Sequence, residues 1–548
     1  MGYDIADYED IDPSYGTLAD VDNLIAELKR RNMKLVMDLV VNHTSEEHAW
    51  FLDSRSSKTS PKRDWYIWKP AKYDADGNRQ PPNNWAQILG EANSAWTWDE
   101  KTQEYYLSLF TPEQPDLNWE NEEVRKAVHA VLRFWLDRGC SGFRMDVINL
   151  ISKVQSFSDA AISVPTNKYQ PGDKFYANGP RLHEYLQEIN RKVLSHYDTL
   201  TVGEMPFVRA EDEIIRVVGA DRAELNMIFS FDLVDIDNVP GDFKYTLHAW
   251  DARDLKRIVN RLQRLMLERD GWNSLFVENH DQPRSVSRYT DDADEWRAHG
   301  AKLLALMQST LAGTLYVYQG EELGMRNVPA EWSEEEYKDI ESVNFFKKCV
   351  FTPSHTSRHV PSADANRYRD LYPADDAKQA LARTIMQKKS RDNARTPVQW
   401  SAALHAGFTA PEATPWMRVN TDYPDVNAEA QLSNPQPAPG LVSVHAFWRR
   451  ALANRKKHAD VFVYGDFEML DMEDKSVVAF RRWSEKEEFV TVLNFSGEEV
   501  RWKGLGEVEV LKWVAGNYDE RELEGRETGK GVGVELRAWE GLLGVVKR

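Results

Sequence analysis

The chain has 548 residues and a formal net charge of −19 at pH 7, from 88 acidic and 69 basic side chains. It is too long for one simple domain, and its 42% of hydrophobic residues can build a large core. The acidity argues against nucleic acid as the main partner, because phosphate binding needs a basic surface.

The chain carries no sequence sign of secretion or of a membrane anchor. Two cysteines, Cys140 and Cys349, are too few for the disulfide framework of a secreted protein. The N-terminal MGYDIADYED lacks the basic and apolar regions of a signal peptide. No apolar run reaches the length of about 18 residues that predicts a membrane span. We therefore expect a cytoplasmic protein with no membrane partner.

The first 115 residues divide into two parts. Apolar residues at helical spacing predict a helix over 18–30, and the apolar, β-branched run KLVMDLVV predicts a strand over 34–41. A stretch over 44–115 that is rich in Trp and Pro then lacks helical periodicity. It predicts a small domain inserted on a strand–helix loop.

Predicted helices and strands alternate from residue 116 to about residue 460. The predicted helices cover 124–137, 181–196, 252–269 and 296–312. The predicted strands are SGFRMD, LTVGE, ELNMIFSFD, SLFVENHD and TLYVYQGEE. This alternation is typical of a parallel sheet. A polar, Pro-rich segment over 351–380 predicts a surface excursion.

The pattern changes near residue 461. Short segments of alternating hydrophobicity, such as KSVVAFRRW and EFVTVLNFS, follow one another to the end of the chain. They predict an antiparallel β-sandwich domain over 461–548.

Three carboxylates close strand-like runs: Asp146 ends SGFRMD, Glu204 ends LTVGE and Asp281 ends SLFVENHD. In a (β/α)8 barrel, the carboxyl ends of the strands converge on one face, where catalytic side chains lie. Three carboxyls that meet there repel one another, so we expect at least one to hold a proton near neutral pH. A carboxylate beside a carboxylic acid is the arrangement that hydrolyses glycosidic bonds.

The neighbours of two of these carboxylates indicate their ionisation. Arg144 lies two residues before Asp146, so both face the same side of a strand and the guanidinium favours an ionised Asp146. The apolar residues around Glu204 favour a raised pKa there, as a proton donor requires. The alternative for Arg144 and Asp146 is a structural ion pair, and the alternative for Glu204 is a surface residue at a strand end.

No motif predicts a cofactor. The stretch QGEELG at 319–324 lacks the GxxxxGK[ST] pattern of a phosphate-binding loop, and neither a CxxC nor an HExxH metal motif occurs. The basic run RRALANRKK at 449–457 is read as a solvated helix face and not as a nucleic-acid patch. Aromatic faces stack on sugar rings, so the 19 Trp residues favour a carbohydrate ligand, although most should lie in the core.

The segments DLVVNH, QPDLN, GFRMDVIN, TVGEMP and ENHDQPR resemble, in this order, the α-amylase superfamily of glycoside hydrolases. Within it, QPDLN and GFRMDVIN resemble the oligo-1,6-glucosidase/α-glucosidase (isomaltase/maltase) group. The resemblance implies an α/β fold: a (β/α)8 barrel with a small inserted domain and a C-terminal antiparallel β domain. It places the barrel at 1–43 and 116–460, the inserted domain at 44–115 and the β-sandwich at 461–548.

Family members begin earlier, with a first strand, a first helix and a second strand. The resemblance therefore predicts an N-terminally truncated barrel in which the first two strands are missing. The loop after the first strand carries the family's acidic metal site, so we expect no bound metal. A barrel without two strands cannot close by normal pairing, which makes an inactive amylase-like protein one alternative.

The resemblance also assigns roles to the carboxylates. Asp146 resembles the nucleophile that forms a covalent glycosyl-enzyme, and Glu204 resembles the general acid/base. Asp281 resembles the third carboxylate, which binds the 2- and 3-hydroxyls of the sugar. His43 and His280 resemble a pair of hydroxyl-binding histidines, with ordinary structural roles as the alternative.

Further residues are assigned to substrate binding by the same resemblance. Asp4 and Arg395 resemble a clamp on the 4- and 6-hydroxyls of the non-reducing glucose, which gives an exo-acting pocket. Tyr3 is expected to stack beneath that sugar, and Arg144 to bind beside the nucleophile. Val147 resembles the residue of α-1,6-acting enzymes and should shape the leaving-group side, with simple packing as the alternative.

Four other residues have weaker assignments. Asp38 either supports the site or is a buried structural residue. Leaving-group or supporting roles are expected for Glu278, Gln282 and Arg284.

The sequence thus predicts a retaining, exo-acting α-glucosidase for α-1,6- and/or α-1,4-linked short oligosaccharides of the isomaltose and maltose type. A transglycosylase or sugar isomerase that uses the same site is the alternative. The expected partner is a small oligosaccharide substrate, and the preferred linkage, the chain length and the oligomeric state stay open.

Overall fold

The structure, a computed structural model, describes residues 2–89, 93–165, 167–239, 244–350 and 375–547. Most of the predicted surface excursion over 351–380 lies outside the described residues. The chain divides into two compact units. The first unit is Met1–Phe231 with Pro353–Leu371, and the second unit is Asp232–Thr352 with Tyr372–Arg548.

A four-stranded parallel sheet forms the centre of the first unit. Its strands, in spatial order, are Met37–Val40, Gly142–Asp146, Leu200–Glu204 and Met227–Phe229. The α-helices of this unit are Leu18–Arg30, Ala49–Ser54, Glu122–Arg138, Asp173–Tyr176, Leu182–Lys192 and Glu211–Val218. The predicted alternation of helices and strands is confirmed here, with bounds that shift by a few residues.

Gly142 allows the second strand of this parallel sheet to lie close to the third strand. A Cβ atom at Gly142 would lie 1.9 Å from the carbonyl oxygen of Leu200, and its φ of 150° is one that glycine adopts most readily. The preceding helix, Glu122–Arg138, ends at Gly139 in the left-handed conformation, which turns the chain back towards this strand. These two glycines therefore set the start of the strand that ends at Asp146.

The predicted insertion contains a small antiparallel sheet of three strands, Trp68–Lys69, Glu104–Leu107 and Trp96–Asp99. A hairpin of Lys72–Tyr73 and Arg79–Gln80 is also present. The buried cluster of this region includes Trp85 and Trp96 together with residues beyond position 115, namely Val147, Leu150 and Phe157. Several tryptophans are thus core residues, as expected, and the exact bounds of the inserted domain stay a prediction.

The second unit combines a short parallel pair with a larger antiparallel sheet. The parallel strands are Ser274–Leu275 and Thr314–Leu315. The antiparallel sheet has the order Asp466–Leu470, Val477–Trp483, Glu488–Asn494, Gly541–Val546, Glu509–Gly516 and Gly529–Lys530, and Val500–Trp502 pairs with Val534–Leu536. The α-helices are Ala252–Glu268, Ser285–Tyr289, Arg297–Thr310, Ile340–Val350, Asp375–Lys389, Asp392–Arg395, Ala428–Ser433, Val444–Lys457 and Ala459–Phe462.

The C-terminal sheet shares one hydrophobic core with the helices before it. Leu303 and Leu306 of the Arg297–Thr310 helix belong to the same buried cluster as Phe480, Leu493 and Leu543 of the sheet. The predicted antiparallel character of this region is confirmed, while its separation at residue 461 as an independent domain stays a prediction.

Three predicted strands are shorter than expected. ELNMIFSFD contains only Met227–Phe229, SLFVENHD only Ser274–Leu275, and TLYVYQGEE only Thr314–Leu315. Asp281 was predicted to close a strand and instead lies in the loop that follows Ser274–Leu275. Phe276 and Val277 of this loop are buried, and an apolar run of this kind looks like a strand in the sequence. Within the described residues the parallel strands form one sheet of four and one of two, so no closed barrel is observed.

None of the helices described has the length and hydrophobicity needed to cross a membrane. The cytoplasmic location stays a prediction.

Candidate active site

Arg144 lies at the centre of a carboxylate cluster in the first unit. Its Nη1 donates to Asp38 Oδ1 at 3.0 Å and to Asp146 Oδ1 at 2.6 Å, and its Nη2 lies 2.7 Å from Glu204 Oε2. Strand register explains this convergence. Arg144 is paired with Asp38 on one side and Val202 on the other, and Asp146 and Glu204 each follow two residues later on the same face.

Burial decides the ionisation of the predicted nucleophile. Asp146 and Glu204 are each only 7% exposed. Burial, aided by the charge of Asp38, raises the pKa of Asp146 to about 6, although Arg144 lowers it. Arg144 thus acts in the direction expected from the sequence, but burial is the larger effect. At pH 7 an aspartate with this pKa is still mostly ionised.

Glu204 and Asp146 share the guanidinium of Arg144. The Glu204 side chain contributes to lowering the pKa of Asp146, against the larger effect of burial. The roles of acid and nucleophile for these two carboxyls stay predictions.

Three predicted substrate-binding residues join this cluster. The Tyr3 hydroxyl donates to Asp38 Oδ2 at 2.9 Å, and the Tyr3 ring centroid lies 5.6 Å from the guanidinium carbon of Arg144. His43 Nε2 lies 3.0 Å from the Tyr3 carbonyl oxygen, and burial lowers the pKa of His43, so the neutral imidazole donates there. The charge of Asp4, which is exposed, raises the pKa of His43 against the larger effect of burial.

Val147 has an unusual backbone and a buried side chain. Its φ of 34° and ψ of 42° are left-handed, which is rare for a β-branched residue. Its N–H donates to Glu204 Oε2 at 3.3 Å. The side chain packs in a cluster with Leu150 and Phe157. The structure thus shows packing of the Val147 side chain, and its contact with the leaving group stays a prediction.

A buried ion pair supports His43 and was missed by the sequence reasoning. Lys153 Nζ lies 3.0 Å from Asp116 Oδ1 and donates to Asn42 Oδ1 at 2.9 Å and to the Leu150 carbonyl at 2.7 Å. Asn42 also donates to Asp116 at 2.9 Å. This contact could have been sought from the sequence, because Asn42 and Asp116 lie within the motifs VVNH and QPDLN.

In the second unit, cations surround Asp281. Arg395 Nη2 lies 2.5 Å from Asp281 Oδ1, Arg391 Nη1 lies 3.5 Å from Oδ2, and Lys244 Nζ donates to the Asp281 carbonyl at 3.0 Å. His280 Nε2 is 3.6 Å from Oδ1, and its carbonyl accepts from Arg395 Nε at 3.0 Å. Burial raises the pKa of Asp281, but the cations outweigh it and lower the pKa well below the usual value. Asp281 is therefore ionised.

Two further carboxylates hold these cations in place. Arg395 Nη1 lies 3.0 Å from Asp339 Oδ2, and Glu341 Oε2 lies 3.2 Å from Arg391 Nε and 3.5 Å from Lys244 Nζ. Arg391 could have been found from sequence, since it precedes Arg395 by four residues in SRDNARTP and residues at this spacing share a helix face. Asp4 belongs to the first unit and Arg395 to the second, and their predicted clamp stays a prediction.

The three weaker assignments in the second unit lie in buried contacts, and their leaving-group or supporting roles stay predictions. Arg284 Nη1 lies 3.1 Å from Glu278 Oε1, and both side chains are buried. Buried Gln282 accepts from Arg288 Nη1 at 2.7 Å. Burial and the nearby charge of Glu278 raise the pKa of Glu321 well above its usual value. Among the described side chains, no group of three or more His, Cys, Asp or Glu forms a candidate metal site.

Comparisons with known proteins agree with this chemistry. Residues 1–465 match the alpha-amylase catalytic domain. The chain is 48% identical over 502 residues to an alpha-glucosidase of Schizosaccharomyces pombe, covering 92% of this chain and 82% of that protein. It is 42% identical over 544 residues to an oligo-1,6-glucosidase of Parageobacillus thermoglucosidasius, covering 98% and 88%. The solved isomaltulose synthase from Erwinia rhapontici NX5 aligns with a TM-score of 0.86 and 36% identity, covering 100% of this chain and 89% of that chain.

A parallel sheet whose strand ends bring two buried carboxyls together at one arginine has the pair of groups that a glycoside hydrolase uses. The chain belongs to the α-amylase catalytic-domain family. The resemblance and the prediction of a glycoside-hydrolysing enzyme are thereby confirmed. The family fold is a (β/α)8 barrel with a C-terminal β domain.

Proposed function

We propose that this protein is a retaining, exo-acting α-glucosidase for short α-1,6- and α-1,4-linked glucosides of the isomaltose and maltose type. The observation that carries the proposal is the pair of Asp146 and Glu204, two buried carboxyls that are both held by Arg144. The names of the two relatives, alpha-glucosidase and oligo-1,6-glucosidase, support the choice of substrate.

In the proposed reaction, Asp146 attacks the anomeric carbon while Glu204 protonates the leaving oxygen. Glu204 then accepts a proton from the water that releases glucose from Asp146. Retaining enzymes place these carboxyls about 5–5.5 Å apart, with the sugar between them. The substrate therefore has to enter between the two carboxyls, where Glu204 donates its proton to the glycosidic oxygen.

We further propose that Asp281 acts on the same glucosyl ring, where it binds the 2- and 3-hydroxyls. Arg391 and Arg395 keep Asp281 ionised. Its negative charge stabilises the positive charge that develops on the ring in the transition state. Further contacts to the sugar are proposed for Tyr3, Asp4, His43 and His280. The clamp of Asp4 and Arg395 would close the non-reducing end and make the enzyme exo-acting.

Replacing the nucleophile tests the mechanism. Asp146→Ala should abolish hydrolysis of isomaltose and maltose, and added azide should restore turnover to give β-glucosyl azide. Proton NMR of the wild-type reaction should show α-glucose as the first product. Release of β-glucose first, or appreciable hydrolysis by Asp146→Ala without azide, would contradict a retaining mechanism through Asp146. A wild-type protein inactive on every α-glucoside would favour the inactive amylase-like alternative.

A second candidate function uses the same glycosyl-enzyme. The similarity to an isomaltulose synthase favours transfer of the glucosyl group to a sugar instead of water. Such transfer requires that water be excluded from the leaving-group side. Chromatography of products from concentrated sucrose and isomaltose separates the two functions. Free monosaccharides alone (glucose and fructose from sucrose, glucose from isomaltose) indicate hydrolysis, and new disaccharides indicate transfer.

A further inference from the structure

Two side-chain amides flank the imidazole of His43 in the first unit. Asn42 Nδ2 lies 3.2 Å from His43 Nδ1, and Gln114 Nε2 lies 3.2 Å from His43 Nε2. A neutral imidazole carries one proton, so one of its nitrogens donates and the other accepts. The orientation of the two amides therefore bears on which ring nitrogen is protonated.

Two charges fix the orientation of the Asn42 amide. Its Oδ1 accepts from Lys153 Nζ at 2.9 Å, and its Nδ2 donates to Asp116 Oδ1 at 2.9 Å. Turning the amide over would place its oxygen against the carboxylate and its NH2 group against the ammonium. All three side chains are buried, where such conflicts cost most because little water screens them. Asn42 thus presents an N–H to His43.

Gln114 is held by neutral partners. Its Oε1 accepts from Thr111 Oγ1 at 3.3 Å. Its Nε2 donates to the carbonyl oxygen of Tyr3 at 3.2 Å, and His43 Nε2 lies 3.0 Å from the same oxygen. A carbonyl oxygen has two lone pairs and can accept from both groups. This common acceptor accounts for the short distance between the nitrogens of Gln114 and His43.

The two tautomers of His43 differ in the contacts that they satisfy. With the proton on Nε2, His43 accepts from Asn42 and donates to the Tyr3 carbonyl. With the proton on Nδ1, two donors would face each other at 3.2 Å and two acceptors at 3.0 Å, for the gain of one hydrogen bond from Gln114. A second ring proton would meet the same donor of Asn42. These contacts therefore favour a neutral His43 with its proton on Nε2.

Tyr3 connects this arrangement to the carboxylate cluster. Its carbonyl oxygen lies against His43 Nε2, and its hydroxyl donates to Asp38 Oδ2 at 2.9 Å. Asp38 accepts in turn from Arg144 Nη1, which also donates to Asp146. The bond from His43 to the Tyr3 carbonyl thus helps to hold the Tyr3 side chain at the cluster.

We propose that Asn42 is a positioning residue that keeps the proton of His43 on Nε2 and so anchors Tyr3 beside the carboxylate cluster. Lys153 and Asp116 hold Asn42 in the orientation that this role needs. Asn42 acts through His43 and does not have to touch the substrate. This inference rests on the proposed function, because it explains how two of the proposed sugar-binding residues are held in place.

Nitrogen-15 NMR tests the tautomer directly, because protonated and unprotonated ring nitrogens have well separated shifts. The protein is labelled at histidine, and the signals of His43 among the 13 histidines are identified by their absence from His43→Gln. Near neutral pH, the wild type should show an unprotonated Nδ1 and a protonated Nε2. A protonated Nδ1 in the wild type overturns the proposal, whether or not the protein hydrolyses glucosides.

Asn42→Asp tests the control of His43 by Asn42. It replaces the N–H that faces His43 Nδ1 by an acceptor oxygen, so the proton should move from Nε2 to Nδ1. KM for p-nitrophenyl α-glucoside should then rise about ten-fold, because the carbonyl of Tyr3 faces a lone pair instead of a donor. The rise should appear in KM and not in kcat, since Tyr3 is proposed to bind the sugar and not to react. An unprotonated Nδ1 in this variant, or an unchanged KM, overturns the proposal.

Asn494→Asp is the matched control. Asn494 is a buried asparagine of the C-terminal sheet, and its Nδ2 donates to the carbonyls of Glu498 and Arg537, each at 2.8 Å. It should leave the His43 signals and KM unchanged, and an equal effect on both would overturn the specific role of Asn42. Wild-type inactivity on p-nitrophenyl α-glucoside overturns the proposed function alone, since the NMR result does not depend on turnover.

Discussion

Asp38→Asn should move the acid side of the pH–activity profile to lower pH. The proposed reaction needs ionised Asp146, whose pKa is raised to about 6 by burial and by the charge of Asp38. The ionised fraction of such a group is about 9% at pH 5 and about 91% at pH 7, so kcat/KM falls about ten-fold between them. Removing a negative neighbour makes ionisation easier, so the midpoint falls.

The structure sets the size of this effect. Asp38 Oδ1 and Asp146 Oδ1 both accept from Arg144 Nη1, at 3.0 and 2.6 Å, so the two oxygens lie at most about 5.6 Å apart. Two unit charges at that separation interact by about 0.7 kcal/mol in water and about 3 kcal/mol at an effective dielectric constant of 20. The midpoint should therefore fall by about 0.5 to 2 pH units.

The assay is kcat/KM for p-nitrophenyl α-glucoside from about pH 4 to about pH 8, because this ratio reports groups of the free enzyme. Asp22→Asn is the control. Asp22 also pairs with an arginine of the first unit, Arg138, at 2.8 Å, and is not among the main groups acting on Asp146. A midpoint for Asp38→Asn that is unchanged or higher than that of the wild type would refute the reasoning, whatever its effect on the maximal rate.

Two further predictions concern stability. Asp116→Asn leaves buried Lys153 without a counter-charge. Urea titrations should show a free energy of unfolding that is lower by about 3–5 kcal/mol. A loss below about 1 kcal/mol would show that neutral partners suffice for Lys153. Glu321→Gln replaces a buried carboxyl whose pKa is raised well above its usual value. The native state then binds more protons than the unfolded state, so this carboxyl makes wild-type stability fall as pH rises above its unfolded pKa. The Gln variant should gain stability relative to wild type at pH 8 compared with pH 5, and an equal change at both pH values would contradict this.

Much of the first unit could be predicted because the relevant information is local. Arg144 and Asp146 are two residues apart on one strand, and the two-residue period of a strand puts them on one face. Glu204 ends a strand whose limits, Leu200–Glu204, match the predicted run. Their common contact with Arg144 then follows from parallel pairing of neighbouring strands.

The second unit shows where such reasoning stops. Asp281 follows its strand by six residues, and an apolar run in the sequence does not distinguish a ladder strand from a buried loop. Lys244 contacts Glu341 across 97 residues of chain, and no local pattern encodes that pairing. The raised pKa of Asp146 could not be inferred either, since it depends on burial by the whole fold.

Val147 joins the proposed nucleophile and acid through one peptide. It follows Asp146 directly, and its N–H donates to Glu204 from a left-handed conformation that costs about 1–3 kcal/mol in a β-branched residue. The positions of the two carboxyls are therefore coupled through the backbone conformation of a single residue, and a change of φ and ψ at Val147 would move one carboxyl relative to the other.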